Sequence, residues 1–289
     1  MVSSVKKAVF PVAGLGTRML PATKVLPKEM LPVVDKPILQ YALEEAKAAG
    51  IEEFVFVTGR GKSILEDHFD RAYELFDTLE RKQKTEALAE LESWLPTAGT
   101  VVYTRQQQPL GLGHAVWCAR HLIGNEPFVV SLVDDLILGD VPCTGELIQA
   151  HEQTGGNVVA TMEVPLEHTS RYGILDPGKV EGRLVEAKAM VEKPEPEAAP
   201  SRYAVIGRYV LLPEIFDHLE RQERGAGGEI QLTDAMARML GAHPFHGYVF
   251  SGERHDCGDK LGYLEAIVAA ASRRADLKAG LGDVLRRYV

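Results

Sequence analysis

The chain has 289 residues, enough to bury one large α/β core or two modest ones, and 45% of them are hydrophobic, which suits a soluble globular protein. A formal net charge of −9 argues against a nucleic-acid partner, because phosphate backbones select basic surfaces. No apolar stretch approaches the length of a membrane span, and an acidic chain that binds phosphates must gather its cations locally.

The first predicted element is a buried strand over residues 8–12, an apolar run too short for anything else. Lys6 and Lys7 ahead of it imitate a secretory leader, but Pro11, Gly14, Gly16 and Arg18 interrupt the run too early. The strand stops at Ala13-Gly14-Leu15-Gly16, and Thr17-Arg18 follow at once. Glycines there let the backbone turn sharply and turn N–H groups toward an anion. Arg18, Lys24 and Lys28 then stand among Pro21, Pro27 and Pro32, which exclude a regular helix and stiffen the loop. Strand, glycine turn and basic arm together read as a phosphate-binding loop; a plain connection with surface cations is the alternative. It is neither of two familiar kinds. Met19 stands where the dinucleotide fingerprint needs a third glycine, and Thr17-Arg18 do not supply the Walker sequence.

Asp35-Lys36-Pro37 predicts a helix start, with Asp35 as N-cap and Pro37 in the first turn. Ile38, Tyr41, Ala42 and Ala46 share one face of that helix, and Gly50 closes it. A strand over 51–58, a short helix over 63–69 and one long charged helix over 71–95 follow. The charge run 80–84 reads as a solvated face. Next come a strand over 100–103, a helix over 113–122 and an apolar strand over 127–133 running straight into Asp134-Asp135. A helix over 144–153 and a strand over 158–164 complete a β-α alternation. It predicts a Rossmann-like, mixed but mainly parallel sheet with helices on both faces. Ligands of such sheets sit beyond the strands' carboxyl ends, where the glycine loop, Gln106 and Asp134 fall.

From 172 to 194 the rhythm changes, and glycines at 173, 178 and 182 separate β-like pieces that read as hairpins on the sheet edge. A strand over 203–212, a helix over 214–221, a mobile-looking loop over 225–228 and a helix over 231–240 come next. A strand over 245–250 and helices over 261–272 and 275–288 finish the chain. With neither repeat nor linker, residues 1–289 are expected to form a single domain, with a β-rich insertion at about 165–200 and C-terminal helices over 260–289. Cys118, Cys143 and Cys257 are odd in number and far apart, which reads as reduced thiols in a cytoplasm.

Gly14-Leu15-Gly16-Thr17-Arg18-Met19-Leu20-Pro21, with Pro27-Lys28-Glu29-Met30-Leu31-Pro32 and Asp35-Lys36-Pro37, resembles the signature of the sugar-1-phosphate nucleotidylyltransferases. Ala22-Thr23-Lys24 and Lys28-Glu29-Met30 make the chain most similar to that family's bacterial UTP–glucose-1-phosphate uridylyltransferases, the UDP-glucose pyrophosphorylases. The resemblance runs along nearly the whole chain. It implies transfer of the uridylyl group of UTP to glucose 1-phosphate, giving UDP-glucose and pyrophosphate with Mg²⁺, in a cytoplasmic homo-oligomer (dimer or tetramer). The nucleophile of that reaction is already an anion, so no general base is required. Catalysis would rest on alignment and charge neutralisation at the α-phosphorus.

The same resemblance implies roles for individual residues. Asp134 and Asp256 match its two metal-binding aspartates, and nothing matches Asp135, whose role stays open; a strand-end pair capping a turn is the plain reading. Arg18 and Lys28 match the cations on the triphosphate and the developing pyrophosphate. Ala13, Gly14, Gly16, Thr17, Glu29 and Gly111 fall on the nucleotide side, and Gln106 matches the base-reading glutamine, whose amide offers donor and acceptor. In Val191-Glu192-Lys193-Pro194, Lys193 would hold the phosphate of the sugar 1-phosphate and Glu192 would accept from sugar hydroxyls. Gly173 and Gly207 match places where backbone approaches the hexose. His114, His168 and His255 read as structural. Three rivals stand beside this reading. A thymidylyltransferase is the nearest. A metal-dependent glycosyltransferase would not need Arg18 and Lys28. Against a catalytically dead nucleotide-sugar sensor stand both aspartates and all the cations.

Overall fold

Along β1 (Lys7–Pro11), Ala8 and Phe10 enter one apolar cluster and Val9 another, in a computed structural model that describes residues 5–288. Alternation with period two, dry on both sides, is what a central strand covered by helices requires. The two-residue strands β2 (Pro32–Val33) and β3 (Lys36–Pro37) then form a small ribbon ahead of α1 (Ile38–Ala48). β4 (Glu53–Thr58) repeats the alternation, Phe54 and Phe56 against Val55 and Val57. Each such side chain stabilises by about 1.5–3 kcal/mol when fully buried.

The chain continues through α2 (Ser63–Phe69), α3 (Tyr73–Arg81), α4 (Thr85–Trp94), β5 (Val101–Arg105), α5 (Leu112–Cys118) and α6 (Arg120–Ile123). β6 (Phe128–Ser131), β7 (Asp135–Leu138), α7 (Cys143–Thr154), β8 (Asn157–Glu163), β9 (Gly173–Glu181) and β10 (Leu184–Glu192) follow. β11 (Tyr203–Leu211), α8 (Ile215–Leu219), α9 (Leu232–Ala237), β12 (Phe245–Val249), β13 (Glu253–Asp256), α10 (Lys260–Arg273) and α11 (Ala275–Leu285) complete it.

Among the described residues the main sheet has nine strands in the order β5-β4-β1-β6-β11-β8-β12-β10-β9. The half from β5 to β6 is wholly parallel. Beyond it β11 runs antiparallel to both β6 and β8, and β12 is parallel to β8. The β9–β10 hairpin closes that edge, as the glycine-rich stretch predicts. α1, α7 and α10 pack on one face, α5, α8 and α9 on the other. No helix among the described residues is long and apolar enough to cross a membrane, and the three cysteines are free thiols.

Three expectations are corrected. The long helix over 71–95 is two, broken where Gln83 adopts a φ of 53°. The run of charges there offers nothing to bury, so the chain folds back and Phe76 is covered. Asp35 caps no helix: Pro37 holds the N-cap position and Asp35 pairs with Arg274. The strand before Asp134 ends at Ser131, and Asp135 opens β7, which pairs antiparallel with β13 in a separate ribbon. Neither of these four-residue strands was anticipated.

Candidate active site

Past β1 the chain turns at Gly16, whose φ of 65° lies in the left-handed region that favours glycine. Three single 3₁₀ turns follow, Thr17–Met19, Ala22–Lys24 and Lys28–Met30. Thr23 Oγ1 donates to Gly16 O at 2.7 Å and folds the arm back, so Lys28 packs beside the glycine turn. Beneath it Glu29 is buried, with Oε2 at 2.8 Å from Lys62 Nζ. Glu29 Oε1 is buried without a hydrogen-bond partner among the described residues. Lys62 was not anticipated; its one signal is a cation just past the carboxyl end of β4. Lys24 is exposed and lines neither cavity described next.

Two cavities meet along Arg18, Leu112, Leu132 and Asp134, which line both. The first, of about 530 Å³, adds Ala13, Gly14, Gly16, Thr17, Lys28, Glu29, Gln106 and Gly111. The second, of about 540 Å³, adds Asp135, Gly173, Glu192, Lys193, Gly207 and Asp256. Every residue nominated from the sequence therefore stands on one wall or the other. A larger cavity of about 700 Å³ lies at the β5 edge, and Glu66, Asp67, Asp70 and Glu92 are among its walls. That field repels phosphates, and none of the nominated residues reaches it.

The unforeseen ribbon brings the two aspartates together. Asp256 faces Asp135 across β13 and β7, and the Cys257 N–H donates to Asp134 O at 2.7 Å. Asp134 Oδ2 and Asp256 Oδ1 each lie 3.1 Å from the point a Cβ on Gly258 would occupy, and Arg18 Nη2 lies 2.8 Å from it. Two carboxylates thus converge over a residue without a side chain. One or two carboxylates, with room for phosphate oxygens, is the donor set Mg²⁺ takes, and these residues fit it. Lys28 Nζ rests 2.5 Å from Asp134 Oδ2. Burial alone would raise the Asp134 carboxyl; Lys28 and, more weakly, Arg18 outweigh it and hold the group below the usual range. Burial likewise works against the Lys28 ammonium, but Asp134 and Glu29 hold it above the usual lysine value.

Asp135 is committed elsewhere. Its Oδ1 accepts from Arg254 Nε at 2.7 Å and also from Nη2, and its Oδ2 accepts from the Gly207 N–H at 2.9 Å. A Cβ on Gly207 would sit 2.6 Å from Asp135 Oδ2 and from Leu132 Cβ, so only glycine fits. Arg254 also donates to Tyr172 Oη at 3.0 Å and lies 3.4 Å from Asp256 Oδ2. Arg254, Tyr172 and the nearby Arg171 carry no role in the sequence reading. The available signal was spacing: on a strand, Arg254 and Asp256 share a face. Beside Gly207, Arg208 is buried and its guanidinium grips Glu45 of α1, with Nη2 at 2.8 Å.

Lys193 follows β10 at a φ of 46°, a conformation that costs a lysine of order 1 kcal/mol or more. Its N–H donates to Tyr172 O at 2.9 Å, which holds the turn and leaves the ammonium exposed, 3.3 Å from Glu192 Oε1. In the first cavity Gln106 is 9% exposed, and its Nε2 lies 3.0 Å from both Gly111 O and His114 Nδ1. His255, on β13, is buried and lies outside both cavities.

A family model described as nucleotidyl transferase matches residues 7–273. A UTP–glucose-1-phosphate uridylyltransferase of Komagataeibacter xylinus is 54% identical over 261 residues, covering 90% of this chain and 92% of that protein. The crystal structure of a UDP-glucose pyrophosphorylase complexed with UDP-glucose is similar with a TM-score of 0.84 at 44% identity, over 93% of this chain and 100% of that one. A UTP-bound UGPase from Acinetobacter baumannii is similar with a TM-score of 0.91 at 40% identity, over 99% and 100%.

Proposed function

The chain belongs to the nucleotidyl transferase family, and we propose that it transfers the uridylyl group of UTP to glucose 1-phosphate, releasing pyrophosphate and forming UDP-glucose. One observation carries this reading: two cavities of similar size share a wall holding Arg18 and Asp134. The glycine loop and Gln106 suit a nucleotide on one side, and Lys193 with Glu192 suits a sugar phosphate on the other. The α-phosphorus then belongs at the junction.

The sugar phosphate supplies an anionic oxygen as nucleophile. Lys193 and Arg171 offset its charge, and Glu192 accepts from the sugar's hydroxyls. Arg18 and Lys28 meet the charge that develops on the leaving pyrophosphate, and a loop folded on its own turns need not reorganise to do so. Gln106 takes the edge of the base, and Glu29, paired with Lys62, lies in the floor of the nucleotide side. Asp134 and Asp256 would hold Mg²⁺. When bound, the ion supplies charge neutralisation on the triphosphate and its leaving group. A homo-oligomer belongs to the same reading, supported by exposed Leu261, Leu264, Val284 and Leu285 on the C-terminal helices.

Among the rivals, a thymidylyltransferase is not favoured by the relatives' names, although a glutamine does not exclude a thymine methyl. The test is pyrophosphate release from UTP, TTP, CTP and ATP with several sugar 1-phosphates. UTP with glucose 1-phosphate is expected to give the highest kcat/KM. A preference for TTP, or transfer of glucose from UDP-glucose to an acceptor, would replace the proposal.

A further inference from the structure

Gln106 is nominated to read the base, but an amide by itself reads nothing. Turned one way it accepts from the N3–H of uracil, and turned the other way it donates to the N3 of cytosine. What fixes it must lie in the protein. Gly111 O is 3.0 Å from one end of the amide, and a backbone carbonyl only accepts, so that end is the NH₂ group. The same nitrogen lies 3.0 Å from His114 Nδ1. Its second hydrogen therefore points at an imidazole nitrogen that has to be unprotonated. Both hydrogens of Nε2 are spent, and Oε1 is the end left for a ligand.

We infer that His114 is a specificity-determining positioning residue: through a neutral, Nε2-protonated imidazole it fixes the Gln106 amide with its oxygen toward the base, selecting uracil over cytosine. The inference rests on the uridylyltransferase reading and adds the side chain that, together with Gly111 O, holds Gln106 in one direction. Three features hold the ring. It stacks on Trp117 with centroids 5.8 Å apart, it projects from α5, and Cys118 Sγ lies 3.9 Å from Nδ1, where only a weak S–H donor could point. Burial pushes the imidazole below its usual pKa, which keeps it neutral near pH 7. From sequence alone His114 reads as structural, because the transfer reaction needs no acid or base; a role in selection asks for neither.

The experiment compares kcat/KM for UTP, TTP and CTP in the wild-type enzyme and in His114→Leu and His114→Asn. Thymine presents the same N3–H as uracil and serves as an internal control. Removing the acceptor in His114→Leu leaves Gly111 O as the one anchor on the amide nitrogen, so the turned orientation gains population and the UTP/CTP ratio falls about tenfold, as losing one hydrogen bond predicts, while the UTP/TTP ratio holds. His114→Asn, whose Oδ1 can reach the place of Nδ1, restores most of the ratio. In the wild-type protein, nitrogen-15 NMR reads Nδ1 as the unprotonated nitrogen. Equal losses with all three nucleotides, an unchanged UTP/CTP ratio, no rescue by asparagine, or an Nδ1–H tautomer would each overturn the inference. Should His114→Leu fail to fold, the asparagine variant and the tautomer still decide it. Failure of wild-type enzyme to use UTP would instead refute the function proposed above, whatever the tautomer.

Discussion

Replacing Asp135 by asparagine separates two roles that its position beside Asp134 confuses. Asparagine keeps the size and one acceptor oxygen but places an NH₂ group against either Arg254 or the Gly207 N–H. The Arg254 and Asp135 side chains are only 11% and 13% exposed, so the lost charge pairing is barely screened by water. Stranding one partner of a buried pair costs about 3–5 kcal/mol. Asp256 Oδ2, 3.4 Å from Arg254, remains as a partial partner. The loss expected for Asp135→Asn is therefore smaller, about 2–3 kcal/mol. Equilibrium urea unfolding reads it as a lowered midpoint at constant m-value. Arg254→Met should cost a similar amount, and the double variant less than the sum, because the two changes remove one interaction. Activity should fall chiefly through the sugar-phosphate KM, since Gly207 and Tyr172 frame that cavity. A variant of unchanged stability whose Mg²⁺ requirement rises steeply would make Asp135 a metal ligand and refute this assignment.

Lys28→Ala should lower kcat by about 10²–10³ with a smaller loss of UTP affinity, because a preset cation gains most as charge develops; steady-state rates beside direct UTP titration check this. Arg18→Lys should restore only part of the activity lost in Arg18→Ala, an ammonium lacking the planar fork. Lys193→Ala should raise the glucose 1-phosphate KM far more than that for UTP, and an equal rise in both would misplace it. His68, His114, His218, His246 and His255 are all held below the ordinary value of 6.5, chiefly by burial. Each binds its proton more readily once unfolded, so their contribution to stability is full above that pH and is lost as pH falls through it. Urea midpoints should decline from about pH 6.5 downward, and a midpoint that rises on acidification contradicts the assignment.

The parallel half of the sheet was legible because apolar runs such as residues 54–57 bury both faces and admit few other conformations. Residues lining the two cavities were legible through the family's short motifs, since glycine turns and strand ends tie chemistry to sequence position. The β7–β13 ribbon was not. Glu253-Arg254-His255-Asp256 has no apolar residue to mark a strand, and its partner Asp135-Leu136-Ile137-Leu138 reads as the tail of the strand before it. What makes it a ribbon is pairing across more than a hundred residues, together with the Asp135–Arg254 contact. The break at Gln83 and the Asp35–Arg274 pair escaped for the same reason: tertiary contacts overrode a local pattern that was itself sound.

Attack on the α-phosphorus at the junction of the two cavities is the central claim, and the fate of labelled UTP tests it most directly. With phosphorus label at the α position, incubation with glucose 1-phosphate and Mg²⁺ should carry the label into UDP-glucose and leave the released pyrophosphate unlabelled. Label at the γ position should appear in pyrophosphate alone. Transfer of the γ-label to the sugar phosphate, or α-label released as UMP without glucose, would contradict the account.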